Sequence, residues 1–354
     1  MAKIVLKRGS IYFLKEKDYL TGEITRFTKI GLVRADKKTE SRISEHQTGN
    51  PRDIYNYESF EAPFVEHLET LLHYRFAEKW VTGEWFVLTN VELDAVIKEA
   101  KHIIEKQSEI ESTLNTAYDL EKEASKNDEI SCTKEAELLW KELLEKKLEK
   151  EIITTRRGLI ENEILLALGE SSKIEGVVEI QFKKGSDYFN EKLFKEENED
   201  LYKSFVVKNE PKLSGTFTIK GKLKLADRDS ALSEQKKQTE KFKIETQSIK
   251  RDSVIQRNSM HETLHFQYIQ LQSQLMDVNW EYDQLEAQLK ILVGNNCGIE
   301  GVCGWKRVLK ESSSFDKKSF QKEHPKLYDK YIQEKAETHA VIFHTHRAYS
   351  RIDN

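Results

Sequence analysis

Between Leu264 and Leu292 apolar residues recur in alternating steps of four and three: Leu264, Tyr268, Leu271, Leu275, Val278, Tyr282, Leu285, Leu289 and Leu292. A seam of that period gives a long helix one continuous apolar face, and another helix must cover it. Either a second helix of the same chain does so, or a copy of the same helix makes a homo-oligomer through residues 264–292. An internal partner is on offer. From Val91 to Leu168 the chain is rich in Glu, Lys, Leu and Ala and lacks Pro, with Trp140, Leu144, Leu148 and Ile152 as an i, i+4 stripe and a break at Ser125-Lys126-Asn127-Asp128.

The first ninety residues follow a different grammar. Gly9 to Leu14 and Phe27 to Val33 are short, apolar and rich in Ile, Val, Tyr and Phe, with Thr21-Gly22 between them, which predicts a β-hairpin. A short helix over Glu40 to Gln47 should stop at Gly49-Asn50-Pro51. Ile54 to Phe60 reads as a third strand, and Pro63 opens a helix with Phe64, Leu68, Leu71, Leu72 and Phe76 at helical spacing. The expected class is α+β: a small three-stranded sheet with helices, then a mostly helical region with a small β-containing module. In residue ranges this gives an N-terminal unit over 1–92, a helical linker over 93–170, a mixed module over 171–235 and a long helix with its tail over 236–354. In the third range, strands at Val177 to Phe182 and Phe217 to Leu223 enclose a charged insertion, Asn190 to Asp200.

Charge narrows the partners. The 57 Lys+Arg against 61 Asp+Glu leave a net charge of -4, so a nucleic-acid site has to be a local patch. No apolar run reaches membrane-span length and the N-terminal apolar stretch is too short for a secretory signal, so a soluble, cytoplasmic protein is expected. Three scattered cysteines argue against a disulfide framework. Cys297 and Cys303 with His339, His344 and His346 match none of the usual zinc spacings.

The N-terminal unit holds the side chains that phosphodiester hydrolysis requires. Strand alternation turns Tyr12 away from the face of Ile11 and Phe13. A phenol is a poor base unless nearby cations lower its pKa, and Lys29 and Arg42 are candidates for that. Arg42 and His46 share a helix face at i, i+4, a phosphate-clamping guanidinium beside a proton acceptor. Glu69 and His73 repeat that spacing on the next helix, and a lone carboxylate suffices to anchor Mg²⁺.

In this order the residues resemble the GIY-YIG nuclease superfamily over Gly9 to Leu88. Gly9-Ser10-Ile11-Tyr12 is similar to its first motif, Lys29-Ile30-Gly31 occupies the second, Arg42 to His46 matches the arginine helix, and Glu69 matches the metal-binding carboxylate. The closer likeness is to a phage and bacterial branch with Lys-Ile-Gly as second motif, a Gln-Thr-Gly-Asn-Pro segment (Gln47 to Pro51), a Leu-Glu-x-x-Leu-His helix (Leu68 to His73) and a closing Gly-Glu-Trp-Phe (Gly83 to Phe86). The resemblance implies DNA cleavage dependent on Mg²⁺ or Mn²⁺, with Tyr12 as base or water-positioning phenol, Arg42 on the scissile phosphate and Glu69 on the metal. Two departures stand out: Lys29 replaces a tyrosine of the wider superfamily, and its late asparagine has no counterpart. The base is left open between Tyr12 and His46, and Glu84 is either a second carboxylate of the site or part of a structural closure. A fainter likeness links Leu289 to Arg307, Phe315 to Phe320, Glu323 to Tyr328 and His346 to Tyr349 to the tail of YqaJ-type viral recombinases, with Trp305, Lys306 and Arg307 as an aromatic-plus-basic contact. The expected function is a metal-dependent DNA endonuclease acting on foreign or phage DNA; the alternative is an inactive nucleic-acid-binding or assembly scaffold.

Overall fold

The computed structural model describes residues 7–35, 39–237 and 253–345. Its N-terminal unit runs β1 (Gly9–Lys17), β2 (Ile24–Arg34), α1 (Thr39–Gln47), β3 (Asp53–Ala62), α2 (Val65–Arg75), β4 (Trp80–Thr82) and β5 (Trp85–Val87). The strands form one antiparallel sheet in the order β3-β1-β2-β5-β4. It therefore has five strands, not the three expected. β4 and β5 are three residues each, too short for an alternating pattern, and they turn at Gly83 with φ +53.

The sheet divides its side chains as strand alternation demands. Ile11, Phe13 and Ile30 enter the main core with Leu68, Leu71, Leu72 and Phe86, while Tyr12, Leu14, Val33 and Ile54 form a second cluster that Ile43 of α1 covers. α1 has no buried residue of its own. It is held by its end: the Gln47 side chain donates to the carbonyls of Asn50 (3.3 Å) and Arg52 (2.8 Å) and accepts from Ile54 N–H (2.8 Å). The Gln-Thr-Gly-Asn-Pro segment is thus the clamp between α1 and β3.

α3 (Asn90–Leu120) begins at a capping box, Thr89 with Glu92, and joins the sheet's core through Leu93, Val96, Ile97, Ala100 and Ile103. β6 (Glu129–Ile130) and α4 (Lys134–Leu168) follow. Then come β7 (Lys173–Ile174), β8 (Val178–Lys183), β9 (Tyr188–Phe189), α5 (Glu191–Glu197), α6 (Glu199–Ser204), β10 (Val206–Lys208), β11 (Lys212–Gly215), β12 (Thr218–Ile219) and α7 (Leu225–Arg228). α8 covers 230–237 within the described residues. The chain closes with β13 (Val254–Ile255), α9 (Ser259–Val293), β14 (Gly298–Ile299), β15 (Cys303–Gly304), β16 (Arg307–Lys310), β17 (Ser313–Phe315), α10 (Lys317–Glu323), α11 (Pro325–Lys330), β18 (Ile332–Gln333) and β19 (Thr338–Phe343).

These elements repeat. α4 and α9 are each 35 residues long, follow N-caps at Thr133 and Asn258, and end at Gly169 and Gly294 with φ of 54° and 55°. Ile174-Glu175-Gly176-Val177 then matches Ile299-Glu300-Gly301-Val302, and α5–α6 matches α10–α11 down to the caps Asn190 and Asp316, both at φ -77° and ψ 81°. The strands exchange reciprocally: β8 pairs with β19 and β16 with β11, β9 with β18 and β17 with β10, β7 with β13 and β14 with β6. Tyr202 stacks on Phe315 at 4.8 Å and Phe189 on Tyr328 at 4.7 Å, the same contact made twice. Two copies of one unit are therefore wound together about an approximate two-fold axis. The ranges 171–235 and 236–354, expected as separate modules, share these sheets, and the charged insertion is the helix pair α5–α6.

The heptad seam is taken up inside this arrangement. α9 lies antiparallel along α4, with Arg157 donating to Gln272 at 3.0 Å and Lys146 paired with Glu281, and its Leu271, Leu275 and Val278 pack on Ile153. α9 also receives the N-terminal unit: Trp280 stacks on His67 of α2 at 4.4 Å and meets Phe64 at 5.8 Å, while Arg75 pairs with Asp277 at 2.8 Å. No helix among the described residues is long and apolar enough to cross a membrane.

Candidate nuclease site

β5 pairs with β2 only over Phe27 to Lys29, so beyond Lys29 the outer edge of β2 has no strand partner among the described residues. Its backbone groups are satisfied individually, as unpaired edge groups must be when water is excluded. Ile30 N–H bonds to the Glu84 carbonyl (2.9 Å), His73 Nε2 donates to the Ile30 carbonyl (2.8 Å), and the Glu69 carboxylate accepts from Leu32 N–H. The i, i+4 pair of α2 thus lies along this edge. Their surroundings differ: His73 is buried against Trp80 (4.9 Å) and Phe86 (5.2 Å), whereas Glu69 lines a cleft of about 520 Å³ together with Arg34, Arg42, Glu66 and Glu84.

Tyr12 arrives from the other face. It is fully buried, and its hydroxyl sits 3.2 Å from His46 Nε2 while also accepting a hydrogen bond from Arg42, which is held in turn by Glu45. Tyr12 pairs across the ladder with Gly31, where a Cβ would stand 2.4 Å from the hydroxyl oxygen. The glycine of the Lys-Ile-Gly motif is the space the phenol occupies. Gly9 is required for a similar reason: its Cβ would lie 2.2 Å from the Val33 carbonyl oxygen.

Protonation follows from burial and charge. Burial, then the Glu84 carboxylate, raises the Tyr12 phenol above its ordinary value, against the pull of Arg42. Burial, then the charges of Lys29 and Arg42, lowers His46 below 6.5, so the imidazole is neutral near pH 7 and can accept the Tyr12 proton. Burial, with Glu84 adding repulsion, pushes Glu69 up to about 7. Lys29 is not among the main influences on the phenol, which are burial, Glu84, Arg42 and Glu69. Its ammonium is buried and ion-paired with Glu84 at 2.5 Å, 5.8 Å from the Trp85 ring centroid, and its charge also acts on His46 and Glu69.

Tyr12, Arg42, His46 and Glu69 therefore converge, Lys29 enters through Glu84, and His73 stands behind the β2 edge in the core. Glu84 belongs to the cleft, while its neighbour Phe86 is core and Trp85 packs on the Tyr12 cluster. Among the described residues no group of three or more His, Cys, Asp or Glu is arranged to hold a metal ion. That includes Cys297, Cys303, His339 and His344; His346, and with it the stretch His346 to Tyr349, lies outside the described residues. A pair of carboxylates, Glu69 and Glu84, still suits a hard divalent cation that keeps most of its waters, because such a cation relieves the repulsion that raises Glu69. Trp305 and Arg307 are interior, 2% and 1% exposed, and do not form a surface contact.

Residues 9–101 match the model of the T5orf172 domain, a phage-associated domain of the nuclease-related group. No curated protein and no solved structure matches the chain. The N-terminal unit is thus similar to a nuclease-related domain, and α3 begins within the match.

Proposed function

We propose that the N-terminal unit is a GIY-YIG-type endonuclease that hydrolyses DNA phosphodiester bonds with Mg²⁺ or Mn²⁺. The observation that carries this reading is the Tyr12 hydroxyl held between Arg42 and a neutral His46, 3.2 Å from its Nε2, with Arg42 lining the same cleft as Glu69. In this chemistry the attacking water gives its proton to Tyr12 as the Tyr12 proton passes to His46, the water oxygen bonds to phosphorus, and the bond from phosphorus to the leaving oxygen breaks. Arg42 clamps a non-bridging phosphate oxygen, where charge grows in the transition state. Glu69, with Glu84 beside it, would hold the cation, which supplies further charge neutralisation at the phosphate when bound. The relay reconciles the two candidate bases, since a phenol with a raised pKa needs an acceptor behind it. A natural role is attack on, or processing of, foreign or phage DNA.

Plasmid cleavage in Mg²⁺ or Mn²⁺ tests the reading. Wild type should nick or linearise, and Tyr12→Phe, Arg42→Ala and Glu69→Gln should each lose at least about a hundredfold in rate. DNA binding without cutting by wild type would sink the nuclease and leave a binding scaffold.

A further inference from the structure

A second cavity, about 580 Å³, opens between the C-terminal half of α3, the face of α9 and strands β11 and β16. Its lining mixes polar and charged groups with four aromatic residues, Tyr118, Phe217, Tyr282 and Trp305. Arg307 lies over Trp305, its guanidinium carbon 3.7 Å from the ring centroid, with Nε on the Glu123 carbonyl (2.9 Å) and Nη2 on the Gly294 carbonyl (2.7 Å). Among the described residues its third nitrogen, Nη1, is buried without a partner, and so is the Oδ1 of Asn279 on the cavity wall. A buried cationic donor and a buried amide acceptor left open are both costly, and a ligand presenting one acceptor and one donor would satisfy them together.

The duplication says that this site is built rather than left over. Lys290 corresponds to Leu165 in the first copy, Trp305 to Ile180, and Arg307 to Phe182, the last by register, since Gly215 opposes Arg307 as His339 opposes Phe182. In the first copy these positions are apolar and pack into the core under the N-terminal sheet. In the second they are polar or aromatic and line open space. Charge inside is balanced, because Lys290 is already paired with Glu121 (2.8 Å) and Glu286 (2.5 Å). Such a lining does not call for a polyphosphate; it calls for a flat ring with polar edges.

We propose that this cavity binds a nucleobase, stacked on the partly exposed Phe217 or Tyr282 ring, with a ring acceptor on Arg307 Nη1 and an exocyclic or ring N–H on Asn279. Either a free nucleoside or a base turned out of a nucleic-acid strand presents that chemistry. The test is titration calorimetry on the full chain without divalent cation, using adenosine, guanosine, cytidine and thymidine separately, then a short single-stranded oligonucleotide. Wild type is compared with Asn279→Ala and with Thr216→Trp, whose exposed backbone position at the cavity places an indole in the space, each checked for wild-type melting by circular dichroism. Saturable binding of a nucleoside, weakened about tenfold or more in both variants, is the expected result. If only the oligonucleotide binds and both variants weaken it, the base comes from a strand. Absence of binding by every probe, or binding unchanged in both variants, overturns the proposal.

Discussion

Replacing Gly31 by alanine adds one methyl group at the point where the site has least room for it. The new Cβ would stand 2.4 Å from the Tyr12 hydroxyl oxygen, 2.6 Å from Cζ and 2.8 Å from Cε2. Ordinary contact is about 3.5 Å, so the ring must shift by about 1 Å. It has nowhere easy to go. Tyr12 has no exposed surface and packs with Val33, Ile54 and Ile43, so the strain should appear as about 1–3 kcal/mol of lost stability, the usual range for an overfilled core. The same shift stretches the 3.2 Å contact with His46 beyond hydrogen-bonding range. A misplacement of about 1 Å at a reacting group costs on the order of a hundredfold in rate. Urea unfolding followed by fluorescence reads the first effect and plasmid cleavage in Mg²⁺ the second. The double variant Gly31→Ala/Tyr12→Leu separates them: it removes the ring, so stability should partly return while cleavage does not. A Gly31→Ala protein with the wild-type urea midpoint and wild-type cleavage would refute both the packing argument and the assignment of Tyr12.

Glu69 should reveal its environment through pH. Its folded-state value of about 7 lies above the ordinary 4.5, so the stability it contributes is complete below 4.5 and is lost as pH rises through 7. Glu69→Gln should therefore melt progressively higher than wild type from pH 5 to pH 8, with no gain near pH 4, and equal melting temperatures at pH 8 would reject the shift. Gln47→Ala removes three hydrogen bonds that seat the end of α1; a loss of about 1–3 kcal/mol in urea unfolding, with weaker cleavage as Arg42 and His46 drift, is expected. Because burial and neighbouring cations lower His46, the acid limb of the cleavage profile should fall below pH 6.5, and a limb clearly above that value would remove His46 as the acceptor.

How far the sequence reveals this molecule depends on the length over which each signal repeats. The faces of β1, the α2 apolar stripe and the α9 seam were legible because periodicity over many residues is a packing requirement written directly in the chain. The β4–β5 hairpin was not, since three residues carry no period. Glu69 and His73 show a subtler limit. Equal spacing on α2 predicted a shared face, and they do share the β2 edge, yet one faces the cleft and the other the Trp80–Phe86 core. Spacing gives direction around a helix but not what waits there. Lys29 shows the same limit: its charge is visible in the sequence and its partner Glu84, more than fifty residues on, is not.

The duplication was within reach and carries a lesson about where signal hides. Ile-Glu-Gly-Val occurs at Ile174 and again at Ile299, each after a helix-ending glycine. Likewise Phe-x₄-Phe at Phe189 and Phe194 recurs at Phe315 and Phe320, leading each time to a Leu-Tyr pair, Leu201-Tyr202 and Leu327-Tyr328. Self-comparison at long period finds such matches, whereas a pass for local periodicity sees two unrelated stretches. Once the copies are aligned, the positions where they disagree become informative. One copy uses Leu165, Ile180 and Phe182 to bury apolar surface under the N-terminal sheet; the other puts Lys290, Trp305 and Arg307 around a cavity. α3 spans both environments, with Leu93 to Ile103 in the sheet's core and Leu114 and Ala117 on the cavity wall. α9 links them a second time, since Trp280, stacked on His67 two residues before Glu69, follows the unsatisfied Asn279. The cavity and the nuclease-like unit therefore share two helices, α3 and α9, and the divergence between the copies falls where those helices leave the N-terminal sheet.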